Sequence, residues 1–132
     1  DTIKHKNFLT DIVKHFKDQG IRTSIFVDPV VSMIEGAAQT GVDRIELYTE
    51  DFARLYLQDK EKAIAPYIKA ANKATELGIG INAGHDLSLE NIKFFNEQLP
   101  DLIEVSIGHA LIAESLYLGL ENVVNMYKAR LA

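Results

Sequence analysis

The sequence predicts an α/β fold: four consecutive parallel β/α units that make half of a (β/α)8 barrel. Three observations carry this. First, β-rich runs at 22–27, 44–48, 79–83 and 102–107 alternate with segments of helical period, and strands separated by helices pair in parallel. Second, alternate residues of a strand point to opposite faces, and the two faces differ. Ile25, Val27, Ile45, Leu47, Ile79, Ile81, Ile103 and Val105 make one apolar set, which should lie under the helices. The opposite set is Ser24, Phe26, Asp28, Arg44, Glu46, Tyr48, Gly80, Asn82, Gly84, Glu104, Ser106 and Gly108. An open sheet covered by helices on both sides is apolar on both faces. This second face suits a barrel interior, where Arg44, Glu46 and Glu104 can pair or meet ligand, because buried unpaired charge is costly. Third, four units in 132 residues is half of the roughly 250 that a complete barrel needs.

The elements follow in order. Leu9, Ile12, Val13 and Phe16 recur at helical spacing before Gly20, so 6–19 reads as an amphipathic helix within a 1–20 segment that precedes the first strand. After the strand "RTSIFV", Asp28-Pro29 reads as a capped helix start, and the helix runs to about Thr40, where Gly41 ends it. "RIELY" is the second strand. Residues 49–77 read as mostly helical, with a helix start or kink at Pro66 and a stop at Gly78. "IGINA" is the third strand, and Ser88 begins a helix to about Glu97. Leu99-Pro100-Asp101 breaks the chain before the fourth strand, "LIEVSI". Helices at about 110–117 and 120–130 complete it, the last with Leu120, Val123, Val124 and Tyr127 on one face. No low-complexity tract or linker interrupts the order, so 1–132 is expected to be a single domain.

Composition narrows the function. A net charge of −5 argues against general binding to nucleic acid or anionic membranes. An anionic substrate then needs local help from backbone amides, histidines or a few arginines. With no cysteine there is no disulfide framework, thiolate zinc site or cysteine nucleophile, which fits a reducing cytoplasm. No apolar run approaches membrane-spanning length. There is no P-loop and no His-Glu-x-x-His, and the glycines of "GIGINAG" miss the dinucleotide-binding spacing.

Parallel barrels place their chemistry at the C-terminal strand ends. The residues there are Asp28, Glu46 with Thr49, His85 with Asp86, and Gly108 with His109. In "SIGHAL" a strand ends in glycine and enters a helix directly. That arrangement offers free N–H groups and a helix dipole to an anion, with His109 as a further donor; the plainer alternative is a tight turn with a partly exposed histidine. In "INAGHD" His85 suits proton transfer near neutral pH. Its alternative is a surface histidine beside an Asp86 that caps the next helix. Glu46 reads either as a site carboxylate or as a structural partner of Arg44 or of a neighbouring strand's group, and Asp28 as a helix cap. His5 and His15 read as solvated.

Together "TSIFVDP", "RIELYT", "INAGHDLSLEN" and "EVSIGHALI" resemble the pyridoxine 5′-phosphate synthase family of vitamin B6 biosynthesis. The stretches fall in the order of that family's strands five to eight, from Thr23 to Leu131. The resemblance implies a closed (β/α)8 TIM barrel, assembled as a homo-oligomer (an octamer in that family), in the cytoplasm. It implies condensation of 1-deoxy-D-xylulose 5-phosphate with 3-amino-2-oxopropyl phosphate to give pyridoxine 5′-phosphate, phosphate and water, with no metal or organic cofactor. By position, His85 corresponds to the proton donor and Glu46 to the carboxylate that stabilises a transition state. Asp86, Gly108 and His109 correspond to contacts with the aminoketone phosphate.

Two stretches depart from the family pattern. Asp86 stands where the family has glycine, and Tyr48-Thr49-Glu50 stands where it has His-Thr-Gly. Strands one to four, with the family's other His and Glu and a phosphate-binding arginine, lie outside these residues, so the 132-residue chain alone is expected to be inactive. The competing readings are another phosphate-substrate barrel of isomerase or aldolase type, and a non-catalytic βα module that binds an anion or a partner protein.

Overall fold

The computed structural model describes residues 1–132. In chain order the elements are α1 (Lys6–Lys17), β1 (Ser24–Val27), α2 (Val31–Ala38), β2 (Arg44–Tyr48), α3 (Glu50–Tyr56), α4 (Lys60–Glu76), β3 (Gly80–His85), α5 (Ile92–Gln98), β4 (Leu102–Ile107), α6 (His109–Leu118) and α7 (Leu120–Leu131). The strands form one sheet in the order β1-β2-β3-β4, every pair parallel. Each strand lies beside its successor with helix between them, and the order never reverses. That is the strand order of half a (β/α)8 barrel.

The two faces of the sheet separate as the alternation predicts. Ile45, Leu47, Ile81 and Ala83 are fully buried under the helices. Ser24, Phe26, Glu104 and Ser106, on the other face, are exposed. Beneath the strand ends the core is held by an aromatic trio, Phe52 of α3, Tyr67 of α4 and Phe95 of α5. Their ring centroids lie 4.9–5.9 Å apart in edge-to-face contacts, the arrangement the ring quadrupoles favour.

The N-terminal strand ends are tied by polar contacts. Asp43 accepts hydrogen bonds from the Thr23 backbone N–H (2.8 Å) and hydroxyl (2.9 Å). It also pairs with Lys17 at the end of α1 (2.8 Å). Lys17 foremost, with the Thr23 amide, holds the Asp43 carboxyl down to about 2 from an ordinary 3.8.

Several elements differ from expectation. Ile103 does not lie under the helices; it is 57% exposed on the open face. The register shifts between Ile81, paired with Leu102, and Asn82, paired with Glu104. This bulge gives β4 one extra residue, Leu102 takes the core-facing place, and Ile103 turns toward Gly80 and the Arg44 stem. Asp28 is not a helix cap. α2 begins at Val31, its N-cap is Val30, and no side chain caps it. The break in 49–77 falls at 57–59, where the Asp59 carboxylate accepts from the Lys62 N–H and caps α4. Pro66 sits inside α4 and does not start it. Ser88 opens a turn rather than the helix: the Asn91 side chain accepts from the Ser88 N–H at 2.9 Å, and α5 begins at Ile92. On α7, Val123 and Tyr127 are buried, but Leu120 is exposed because it directly follows Gly119 (φ +82°), where the chain turns between α6 and α7. His5 and His15 are exposed, as expected.

Candidate active site

The C-terminal ends of β3 and β4 bring the two Gly-His pairs together. His85 is level with Ile107 in the sheet, so Gly108 and His109 emerge beside it. Gly84 allows this approach: a Cβ there would stand 2.1 Å from the Ser106 carbonyl oxygen and 2.7 Å from its nitrogen. Alternation would send side chain 85 to the helix-covered face with Ile81 and Ala83. Instead His85 has φ +82°, and its ring lies exposed at the rim. A non-glycine residue in the left-handed region costs about 1–3 kcal/mol and persists only where its surroundings impose it. The result is a pair of imidazoles, His85 and His109, with centroids 5.8 Å apart and planes at 75°. A Cβ on Gly108 would touch the His85 Cδ2 and Nε2 at 3.9 Å, so the glycine keeps the space beside that ring clear.

His109 is the first residue of α6, and Gly108 is its N-cap with no side-chain cap bond. The groove beside this helix start, about 570 Å³ in volume, is lined by His85, Ile107, Gly108, His109, Ile112, Ala113 and Leu116. Uncapped amides at a helix N-terminus favour negative charge.

Asp86 does not cap α5. Its N–H donates to Thr49 Oγ1 (3.2 Å), its Oδ1 lies 3.8 Å from His85 Nδ1, and its Oδ2 is buried without a partner.

Glu46 sits on the open face between Phe26 and Asn82 in register. The structural alternative made it the partner of Arg44. Arg44 instead donates to Glu104 (2.8 Å) and to the Asn82 side chain (3.1 Å), while Arg22 approaches Glu104 at 3.6 Å. Arg44 and Arg22 thus pair with Glu104, and the half-buried Glu46 stands on the open face without an ion pair. Because Tyr48 is level with Gly84, Glu46 lies one strand over and about 10 Å below His85 along the strands. The two flank a space instead of touching. No group of three or more His, Asp or Glu residues is placed to hold a metal ion. Asp28 is exposed at the far side of the rim.

Two residues behind the rim carry more than their local sequence indicates. Thr49, fully buried, donates to the Gly84 carbonyl and accepts from the Asp86 N–H. Tyr67 donates to the Tyr48 carbonyl (2.9 Å) and accepts from the Phe52 N–H (3.3 Å). Burial pushes its hydroxyl up to about 12, so it stays a neutral donor. A threonine after a strand is visible in sequence; that it reaches a neighbouring strand 35 residues on is not.

Comparison with known proteins gives the family. A family model described as pyridoxal phosphate biosynthesis protein PdxJ matches residues 1–132. The chain is 63% identical over 131 residues to a protein named pyridoxine 5′-phosphate synthase from Flavobacterium johnsoniae, covering 99% of this chain and 55% of that one. Proteins of the same name from Christiangramia forsetii and Cytophaga hutchinsonii are 61% and 57% identical, each match covering 96% of this chain and 54% and 53% of theirs. The chain spans about half the length of the curated relatives it matches. It belongs to the PdxJ family of pyridoxal phosphate biosynthesis proteins.

Proposed function

We propose that residues 1–132 are the C-terminal half-barrel, strands five to eight, of a pyridoxine 5′-phosphate synthase that works as one closed (β/α)8 domain. The whole enzyme condenses 1-deoxy-D-xylulose 5-phosphate with 3-amino-2-oxopropyl phosphate, releasing phosphate and water, without a metal or organic cofactor. It acts in the cytoplasm as a homo-oligomer, an octamer.

In this reading His85 is the proton donor. Loss of a hydroxyl as water needs a proton delivered as the C–O bond breaks, and an imidazolium at the rim supplies it. Glu46 faces the same interior and stabilises positive charge that develops on an iminium intermediate. Gly108, His109 and the first turn of α6 hold the phosphate of the aminoketone. Asp86 contacts the same substrate. Its N–H is already given to Thr49, so the contact falls to its carboxylate, which suits the amino group.

The observation that carries the reading is the meeting of His85 with the Gly108-His109 turn, imidazoles 5.8 Å apart on neighbouring strand ends. A proton donor and an anion site stand together where a barrel reacts. The test is an assay of the full-length protein with both phosphorylated substrates, following pyridoxine 5′-phosphate by mass. Product from the full-length protein and none from the 132-residue chain is expected. No product from a folded full-length protein overturns the assignment.

A further inference from the structure

Thr49 is the group that fixes where His85 points, and we propose it as a positioning residue for the proton donor. The inference rests on the reading of His85 as that donor. The two peptide groups that bracket His85 each present one polar atom to the buried Thr49 hydroxyl. It donates to the Gly84 carbonyl on one side and accepts from the Asp86 N–H on the other, at 3.2 Å. One hydroxyl thus closes a loop around a single residue. That residue has the left-handed φ of +82°, which takes its ring off the helix-covered face and sets it against Gly108 and His109.

The clamp is itself held. Tyr67 Oη ties the carbonyl just before Thr49 and the N–H of Phe52 in α3, and Tyr67 packs edge to face on Phe52 and Phe95. The path from the aromatic core to the imidazole is therefore continuous: Tyr67 to Tyr48, Thr49, and the two sides of His85. Without the Thr49 hydroxyl, both flanking peptide groups lose a partner, and His85 is released toward the extended conformation that a non-glycine residue prefers. A threonine hydroxyl suits the place because it donates and accepts at once. Valine matches its shape and can do neither.

The experiment compares Thr49→Val and Thr49→Ser in the full-length enzyme, with His85→Asn alongside. Thr49→Val is expected to lower kcat about 10- to 100-fold, the scale of misplacing a reacting group by about an ångström. It should leave KM for the aminoketone phosphate within about threefold, since Gly108 and His109 stay in place, and should displace the limb of the kcat–pH profile that reports His85. Thr49→Ser keeps both bonds and should stay within about threefold of the parent. A merely structural methyl would give the opposite ranking, with serine more damaged than valine, and that result overturns the proposal. If the valine variant does not fold, serine decides alone: retained kcat and pH profile support the clamp, and their loss overturns it.

Backbone geometry is read separately, from the three-bond HN–Hα coupling of His85 in the labelled protein. A coupling in Thr49→Val unchanged from the parent's overturns the clamp whatever the kinetics. If His85→Asn turns over normally while Thr49→Val shifts that coupling, the donor reading of His85 fails and the clamp stands as geometry.

Discussion

The imidazoles of His85 and His109 meet edge to face with centroids 5.8 Å apart, although 23 residues separate them along the chain. Parallel pairing of β3 with β4 brings them side by side, and a left-handed residue at the end of β3 turns the first ring toward the second. Similar local sequence thus yields two unlike neighbours. His109 opens a helix whose first amides are uncapped, and His85 closes a strand beside a carboxylate.

The division of labour predicts that His109→Ala in the full-length enzyme acts chiefly on binding. Losing one hydrogen bond to a charged group, about 1.5–3 kcal/mol, raises KM for the aminoketone phosphate roughly 10- to 100-fold and changes kcat less. Steady-state kinetics with each substrate varied in turn measure the split. A large fall in kcat with unchanged KM would move His109 from phosphate holder to proton carrier.

Gly84 is demanded by packing. A methyl at this position meets the Ser106 backbone at 2.1 Å, and backbone cannot step aside as the end of a side chain can. Gly84→Ala is therefore expected to destabilise the protein by about 3 kcal/mol, the upper range for overpacking, read as a fall in the urea midpoint. Gly108→Ala meets only ordinary contacts at 3.9 Å. It should leave stability nearly unchanged while crowding the space beside the His85 ring.

At the opposite end of the strands, Asp43 makes a pH-dependent contribution to folding. Its carboxyl is held down to about 2 in the folded chain against an ordinary 3.8. A depressed acid stabilises where it is ionised in both states, so the contribution is whole above about pH 4 and fades as pH falls from there to about 2. Asp43→Asn should flatten the stability profile in that window, measured by denaturant unfolding at several pH values. Lys17→Met should flatten it partly, because the Thr23 donors remain. An unchanged acid limb in Asp43→Asn would assign the dependence to other carboxylates.

The strands were legible because periodicity survives without tertiary context. All four runs became strands, in one parallel sheet, with the apolar face covered. The exceptions are particular. Ile103 reads as a core residue until the bulge at Ile81/Asn82 shifts the alternation by one, and no local residue announces that shift. Asp28-Pro29 has the chemistry of a helix start, yet the helix begins at Val31 and takes no side-chain cap. Pro66 carried the expectation of a helix start or kink, but the helix starts at Lys60, where Asp59 was available as a cap. At the site, residue types and strand ends were readable. The left-handed turn of His85 and the Thr49 bonds were not, since both depend on a strand that arrives from elsewhere in the chain.

Glu46 is left without an ion pair on the open face, because Arg44 donates to Glu104 and Asn82 instead. Glu46→Gln keeps the shape and removes the charge, and should lower kcat about 100- to 1,000-fold, the scale of losing one preorganised electrostatic contact. Stability should hardly move, as no ion pair is broken. If unfolding shows a large loss instead, Glu46 is a structural carboxylate.

The central claim is that His85 moves the proton. It is tested most directly by His85→Asn in the full-length enzyme, with kcat and both KM values measured under saturating partner substrate. General acid catalysis is worth about 100- to 10,000-fold. The account predicts a fall in kcat of that size with KM for the aminoketone phosphate within about threefold. A kcat within twofold of the parent, from a folded variant, would contradict it.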